Sequence, residues 1–433
     1  MHLKASYHTL GCKLNYSETA TIASILRQKG VRNAIENEIP DLCIVNTCSV
    51  TGNADKKGRQ LIRSLASKYP DSAIIVTGCY AQLKPEEVSK LPNVVLVLGT
   101  NEKLHISQYI DAWIQNHSSI VETTPTLSIS EFMPSCEKGD RTRYFLKVQD
   151  GCDYFCTYCT IPFARGRARS GKISELVDLA KEVADKGGKE IVLTGVNIGT
   201  FGKDNNQDFL SLIQALDRVE GIERYRISSI EPNLLTNEIL EWIASDSRAF
   251  MPHFHIPLQS GSDKVLKLMN RRYDTSLFAS RIEKIHSVIK DAYIGVDIIA
   301  GARGETEEEW LKSYDFAKSL HVTKFHAFPY SEREGTKALL LGESVPRQLR
   351  YERVAELNAL SELKTRSFIE TNVGKIKNVL WEKSAGSNLM HGLTDNYIRV
   401  EAPLNPDLIN TVSKTKIISL KPGNSEIAIA SHL

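Results

Sequence analysis

The chain has 433 residues, with 54 Lys plus Arg against 52 Asp plus Glu, a formal net charge of +2. An apolar share of 42% and a charged share of 24% exclude a disordered or collagen-like chain. The near-zero charge excludes a uniformly basic nucleic-acid coat, though not a local basic face. Eight cysteines are too few for a disulfide scaffold and enough for one or two metal sites. The length predicts about three domains. Met1 to Tyr7 carry no apolar signal region, and no run approaches the ~18–20 apolar residues of a membrane span. A cytoplasmic protein with no membrane contact is expected. Its thiols stay reduced and act as ligands or core residues.

Residues 1–116 alternate short apolar runs with helical stretches. Lys4–Leu10, Asp41–Asn46 and Ser72–Thr77 read as strands; Ser17–Lys29, Ala54–Lys68 and Pro85–Lys90 read as helices. This alternation predicts a Rossmann-like parallel α/β domain. Residues 117–140 are polar, without a period, and read as a linker. Alternation resumes over 141–370. Candidate strands are Tyr144–Gln149, Glu190–Thr194, Arg224–Ser229, His253–Ile256, Ala292–Ile299 and Lys324–Phe328. Helical stretches such as Glu175–Lys186, Phe209–Val219 and Glu307–Leu320 lie between them, and Val345–Glu370 reads as a long closing helix. About six β/α units predict a partial or full TIM-like barrel. Residues 371–433 hold short β-type runs, Lys377–Trp381, Tyr397–Val400 and Lys416–Leu420, split by Gly, Asn and Pro. That pattern predicts a small OB-like β-barrel, and the fold class as a whole is α/β.

Cys152-Asp-Tyr-Phe-Cys156-Thr-Tyr-Cys159 places three thiols within eight residues, just after a predicted strand. Three ligands for a four-iron cluster leave one iron open to a chelating small molecule. A zinc site would pair such cysteines with a second C-x2-C or H-x3-H, and none lies nearby. Cys12, Cys48 and Cys79 are far apart in sequence, yet each directly follows a predicted strand. Loops at the carboxyl ends of parallel strands converge on one crevice. Spacing alone leaves two readings open, a shared site or unrelated core cysteines. Cys43, inside an apolar run, reads as a small core residue. Cys136 stands alone in the linker.

The triplet, with Tyr158 between its last two cysteines, resembles the cluster loop of radical S-adenosylmethionine enzymes. Gly11-Cys12-Lys13-Leu14-Asn15, Asn46-Thr47-Cys48-Ser49-Val50 and Thr77-Gly78-Cys79 resemble the three cysteine segments of the methylthiotransferase N-terminal domain. The resemblance covers essentially the whole chain. It implies an N-terminal domain with an auxiliary cluster over 1–116, a radical barrel over 141–370 and a TRAM-type RNA-binding barrel over 371–433. It further implies two 4Fe-4S clusters, on Cys152, Cys156 and Cys159 and on Cys12, Cys48 and Cys79. S-adenosylmethionine would contact Tyr158, Thr194, Gly195, Asn197, Ser229, Glu231, His255, Gln259 and Arg271. Ala302 and Arg303 depart from the family's usual Phe and Pro in the segment Gly301–Thr306.

Arg141, Arg143, Lys147, Arg165, Arg167 and Arg169 stand against only Asp150 and Asp153, a local +4 around the cluster loop. Basic side chains there suit a phosphate backbone, so Arg165, Arg167, Arg169 and Arg333 are expected RNA contacts. The family acts on isopentenyl-adenosine in tRNA, on N6-threonylcarbamoyladenosine in tRNA, or on an aspartate of a ribosomal protein. The segment Thr9–Thr19 most resembles the threonylcarbamoyl branch. The resemblance implies a monomer that methylthiolates carbon 2 of that nucleoside, next to the anticodon. It would draw electrons from a donor such as flavodoxin or ferredoxin. The reading from another class is a non-catalytic iron–sulfur RNA-binding protein.

Overall fold

The computed structural model describes residues 3–137, 142–383 and 388–433. Six strands form one wholly parallel sheet: Lys4–Thr9 (β1), Arg32–Asn33 (β2), Leu42–Thr47 (β3), Ala73–Gly78 (β4), Val94–Leu98 (β5) and Ile120–Glu122 (β6). Their order is β2-β1-β3-β4-β5-β6. β3 and β4 are buried at every position, as central parallel strands covered on both faces must be. The period of two splits their side chains. Ile44 and Ile75 pack with Ile22 and Leu26 of the helix Lys13–Gln28. Cys43, Val45, Ile74 and Val76 pack with Ile62 and Leu65 of the helix Gly52–Lys68. Each such buried side chain contributes about 1.5–3 kcal/mol. The first helix starts at Lys13, four residues before the expected start at Ser17, so Cys12 sits at its N-cap.

The second unit contains Ser135–Glu137 (β7), Tyr144–Lys147 (β8), Gln149–Asp150 (β9), Arg169–Ser170 (β10), Glu190–Thr194 (β11), Arg224–Ile227 (β12), His253–Gln259 (β13), Tyr293–Ala300 (β14) and Lys324–Pro329 (β15). β8, β11 and β12 pair in parallel, as do β13, β14 and β15. The bridges Tyr225–Phe250 and Ser229–His255 join the two sets into a six-stranded incomplete barrel. Ile191, Leu193, Tyr225, Ile227, Phe254, Ile256, Ile294 and Val296 face the covering helices and form the largest core. The alternate positions face the lumen and are polar: Glu190, Arg224, Arg226, His253, His255, Asp297 and His326. The expected linker supplies β6 to the first sheet and β7, antiparallel to β8, to the second. Pairing uses backbone groups, which polar composition does not reveal. The boundary placed at 140/141, and Arg141 itself, lie outside the described residues.

Ile376–Glu382 (β16), Leu389–Thr394 (β17), Arg399–Pro403 (β18), Val412–Leu420 (β19) and Ile427–His432 (β20) close into a barrel in the order β16-β17-β18-β20-β19. Trp381, Met390, Val400 and Ile417 fill it, joined by Ile369 of the preceding helix. Its turn after β17 is seated on the larger barrel. Arg224 donates to the carbonyls of Leu393 at 2.9 Å and Thr394 at 2.7 Å, and Arg226 to those of Thr394 at 2.8 Å and Asp395 at 2.9 Å. Both guanidiniums pair with buried Glu190, at 2.8 and 3.0 Å. Tyr397 stacks on His253, ring centroids 3.9 Å apart. No helix among the described residues is long and apolar enough to cross a membrane.

Burial would raise the Glu190 carboxyl, but Arg226 and Arg224 outweigh it and hold it down to about 2 from an ordinary 4.5. Glu190→Ala strands two buried guanidiniums and is expected to lower stability by about 3–5 kcal/mol, read from the urea midpoint at pH 7. The carboxylate's contribution is complete above pH 4.5 and is lost as pH falls toward 2. Wild-type and variant stabilities should therefore converge on acidification; a constant gap down to pH 2 contradicts this account.

Candidate functional site

The triplet follows β9 through Gly151, whose φ of +70° is the left-handed region. A Cβ there would stand 1.9 Å from the carbonyl oxygen of Arg167, so glycine is required. The loop then turns tightly at Phe155, φ +49°, and the Cys159 amide donates to the Cys156 carbonyl at 3.0 Å. Each sulfur accepts a hydrogen bond. The Tyr154 amide donates to Cys152 Sγ at 3.5 Å, the Arg271 guanidinium to Cys156 Sγ at 3.2 Å and the Ile161 amide to Cys159 Sγ at 3.4 Å. Asn197 Nδ2 adds a longer contact to Cys152 Sγ at 3.9 Å. Burial pushes the Cys152 thiol up to about 11 and the Cys159 thiol up to about 12, and neighbouring thiolates add to both. Three thiolates so close need a cationic centre to stay charged. Three thiols at C-x3-C-x2-C spacing would hold a four-iron cluster with one iron left open.

Of the other expected cofactor contacts, Asn197 and Arg271 touch this loop and Glu231 reaches it through Arg271, while Thr194, Gly195, Ser229 and His255 line the cleft beside Cys12. Gly195 follows β11, and a Cβ there would meet the Gln149 carbonyl at 2.8 Å. Gln149 Oε1 accepts from the amides of Val196 at 3.0 Å and Asn197 at 2.8 Å, fixing the turn. Buried Asn197 Oδ1 has no hydrogen-bond partner among the described residues, a free acceptor beside the triplet. Thr194 ends β11, and Ser229 bridges to His255 across the join between β12 and β13. Glu231 pairs with Arg271, which also reaches Tyr158 Oη at 3.5 Å. Tyr158 packs with Val265, Met269 and Tyr330. Gln259, φ +66°, sits where the β13–β14 register slips. His255 Nε2 contacts Asp297 Oδ1 at 2.8 Å. Arg303 replaces the family's Pro and donates to the carbonyls of Leu341 at 3.0 Å and Gly342 at 3.2 Å. Gln149 and Asp297 escaped the sequence reading; Gln149's place just before the triplet was its one signal.

The strand ends of the first sheet bring Cys12, Cys48 and Cys79 together. Gly11, φ +112°, lies so close that an added Cβ would be 2.7 Å from Cys48 Cβ. Gly78, φ +93°, is equally confined, 2.4 Å from Asn46 Oδ1 and the Thr47 carbonyl. Asn15 accepts from Cys12 Sγ at 3.5 Å and donates to the carbonyls of Leu10 at 3.0 Å and Thr47 at 2.9 Å, tying two of the loops. Burial, then the neighbouring thiols of Cys79 and Cys12, pushes Cys48 up to about 12. Cys79 is raised by burial against the pull of Arg165 and Lys103. Cys12 is exposed, while Cys48 and Cys79 are buried. It opens on a cleft of about 480 Å³ lined by Cys12 and Lys13 on one side and by Thr194, Gly195, Ser229 and His255 on the other. Cys43 accepts from Ser6 Oγ at 3.4 Å inside the core, and Cys136 is buried in β7.

Three of the four expected RNA contacts are corrected by their burial. Arg165 is 1% exposed. It donates to Glu18 at 2.9 and 3.1 Å, Asp150 at 3.0 Å and Asn15 at 2.9 Å. Arg169 is buried on Asp150 and on the carbonyls of Glu131, Arg165 and Arg167. Arg333 is buried on Asp55 at 2.9 Å and Ser49 Oγ at 2.7 Å. Their charge is spent inside the protein. Arg167 alone is exposed, 3.4 Å from Asp153.

Residues 4–99 match the Uncharacterized protein family UPF0004, and residues 146–317 match the Radical SAM superfamily. The Threonylcarbamoyladenosine tRNA methylthiotransferase MtaB of Bacillus subtilis (strain 168) is 38% identical, over 95% of this chain and 93% of its own length. The tRNA-2-methylthio-N(6)-dimethylallyladenosine synthase of Syntrophus aciditrophicus (strain SB) is 33% identical, over 86% of this chain and 82% of its own. The radical S-adenosylmethionine methyltransferase TsrM from Kitasatospora setae shares the fold, with a TM-score of 0.56 at 12% identity, covering 76% of this chain and 73% of its own.

Arg165→Met is expected to destabilise by about 3 kcal/mol, read by urea unfolding, since it removes donors from buried carboxylates. RNA affinity, and its slope against log salt concentration, should stay at the wild-type value. A flatter slope in this variant would restore Arg165 as a phosphate contact.

Proposed function

The chain belongs to the radical S-adenosylmethionine tRNA methylthiotransferase family, and from that premise we propose that it methylthiolates carbon 2 of N6-threonylcarbamoyladenosine in tRNA, next to the anticodon. The observation that carries this reading is the shared cleft. A thiol of one trio and the residues around the other trio face a single space. The similarity to the threonylcarbamoyladenosine enzyme, at higher identity and coverage than to the dimethylallyladenosine enzyme, supports the choice of nucleoside.

Cys152, Cys156 and Cys159 hold one 4Fe-4S cluster in this reading, and Cys12, Cys48 and Cys79 the other. Bound together, clusters and S-adenosylmethionine supply a carbon radical able to activate an inert C–H bond, and the sulfur and methyl group to be installed. The chain's own residues do the positioning. Amide N–H groups and Arg271 donate to the triplet sulfurs, which favours the thiolate form. Asn197 Oδ1, buried and unpartnered among the described residues, would accept from the amino group of S-adenosylmethionine, and Glu231, held by Arg271, would accept from a ribose hydroxyl or that amino group. Gly195 leaves room for close approach. His255, anchored by Asp297, forms part of the wall against which the base is placed. The base must leave its stack to enter, as an anticodon-loop nucleotide does readily. The setting is the cytoplasm, with flavodoxin or ferredoxin as donor and the chain acting as a monomer.

Mass spectrometry of tRNA nucleosides from a deletion strain tests the substrate. The methylthio form of threonylcarbamoyladenosine should vanish while threonylcarbamoyladenosine accumulates. Loss confined to the isopentenyl nucleoside, or to a modified ribosomal-protein aspartate, would sink the assignment. Iron analysis tests the two sites separately. Reconstituted enzyme should carry about eight irons per chain. Cys12→Ala/Cys48→Ala/Cys79→Ala should carry half of that, cleave S-adenosylmethionine on reduction, and form no methylthio product. Retention of all the iron by this variant contradicts the second site.

A further inference from the structure

Below the cleft, inside the barrel lumen, lies a second cavity of about 250 Å³. Lys13 and His255 line both spaces, so the two are neighbours. The lower one has room for the side group of a nucleoside. Its charged lining is lopsided. Lys13, Lys324 and Arg399 stand against one carboxylate, Glu426, which pairs with Lys324. No salt bridge within 4 Å engages Lys13 or Arg399 among the described residues, though Glu426 feels Arg399 as well as Lys324. Asp297, one strand away, is occupied by His255. His253, 5% exposed, lines the cavity with its Nδ1 unpartnered among the described residues. Burial would raise the Tyr397 phenol, yet Lys13, Arg143 and Arg226 pull it below its ordinary value, the mark of a positive field. Phe368, Ile369 and Ile398 complete the wall with apolar surface.

A positive, partly enclosed cavity with an unpaired cation favours an anion that brings its own apolar stem. Resting on the reading of the substrate above, we propose that this cavity is a carboxylate subsite. The adenine would lie in the upper cleft by Cys12, and the N6 substituent would run past His255 into the lumen. Its terminal carboxylate would meet Arg399 and Lys13, its methyl group the face of Ile398 and Phe368. A hydrocarbon substituent of similar size would make no ion pair with partly buried Lys13 or with exposed Arg399 at the cavity's edge, so an acidic substituent gains where it does not. The subsite is thus the element of the chain that selects an acidic substituent over an isopentenyl one.

The test uses the reconstituted full chain and anticodon stem-loops carrying N6-threonylcarbamoyladenosine, its methyl ester, or N6-isopentenyladenosine. Wild type should favour the acid over the ester by about tenfold or more in kcat/KM, as expected for a site built around a charged group. Arg399→Gln should lower kcat/KM for the acid toward that for the ester and leave the ester's value in place. A purely structural or general RNA-binding role would lower both alike and so count against the subsite. Lys13→Gln, with iron content confirmed at the wild-type value, should also narrow the acid-over-ester preference, whatever it does to the turnover of both. Equal turnover of acid and ester by wild type, or an intact preference in both variants, overturns the subsite while leaving the substrate standing. Turnover of the isopentenyl stem-loop alone overturns the substrate reading and the subsite with it.

Discussion

The Arg165 guanidinium lies between the two halves of the site and holds them in register. It leaves the short helix Ile161–Arg165 that follows the triplet and reaches Asn15 and Glu18 on the helix that starts at Lys13, and Asp150 just before the triplet. Lys103 and Lys147 join Glu18 at 2.7 and 3.1 Å, and Lys147 and Arg169 join Asp150 at 2.8 and 3.3 Å. Taking six such charges out of water costs several kcal/mol each unless their partners are fixed in good geometry. Here the partners come from segments that flank both thiol trios. A shift of one sheet against the other would break several of these pairs together, so the distance between the trios is stiff. The group also holds four cations and two carboxylates, and Cys79 feels the surplus through Arg165 and Lys103. That surplus only partly offsets burial, which still holds the thiol of the most deeply set cysteine above its ordinary value.

A second set of buried guanidiniums fastens the small barrel at the opposite end. Arg224 and Arg226 satisfy three carbonyls of one turn while sharing Glu190, so the turn has a single seat. Tyr397 enters the lumen from that turn and stacks on His253. The small barrel therefore contributes Tyr397, Ile398 and Arg399 to the lining of the lumen cavity, and its position there is fixed by one rigid connection.

Much of this was legible in the sequence. The cysteines of the first sheet stood directly after apolar strand runs, and Gly11 and Gly78 marked the sharp exits from those strands. The triplet announced itself by spacing. Other features were not legible because they depend on pairing at a distance. The excess of arginine after the triplet reads in sequence as an RNA-facing surface, since a local charge count cannot see Glu18, well over a hundred residues away. β17 and β20 were missed because Gly392 and the polar ends of Ile427–His432 blur the alternation, which ring closure restores. The stretch 117–140 looked like a linker because edge strands need backbone partners more than apolar side chains. Lys13 was noticed only as a neighbour of Cys12; its place beside the lumen follows from the helix starting four residues early.

The unequal exposure of the first trio gives that site a direction. Behind Cys48 and Cys79 the backbone of Gly11 and Gly78 is packed too tightly to admit even a methyl group. In front, Cys12 looks into open space. Anything that arrives at or departs from this centre must therefore travel along one line, across the Cys12 side. The direction of that approach is set by the chain before any partner is bound.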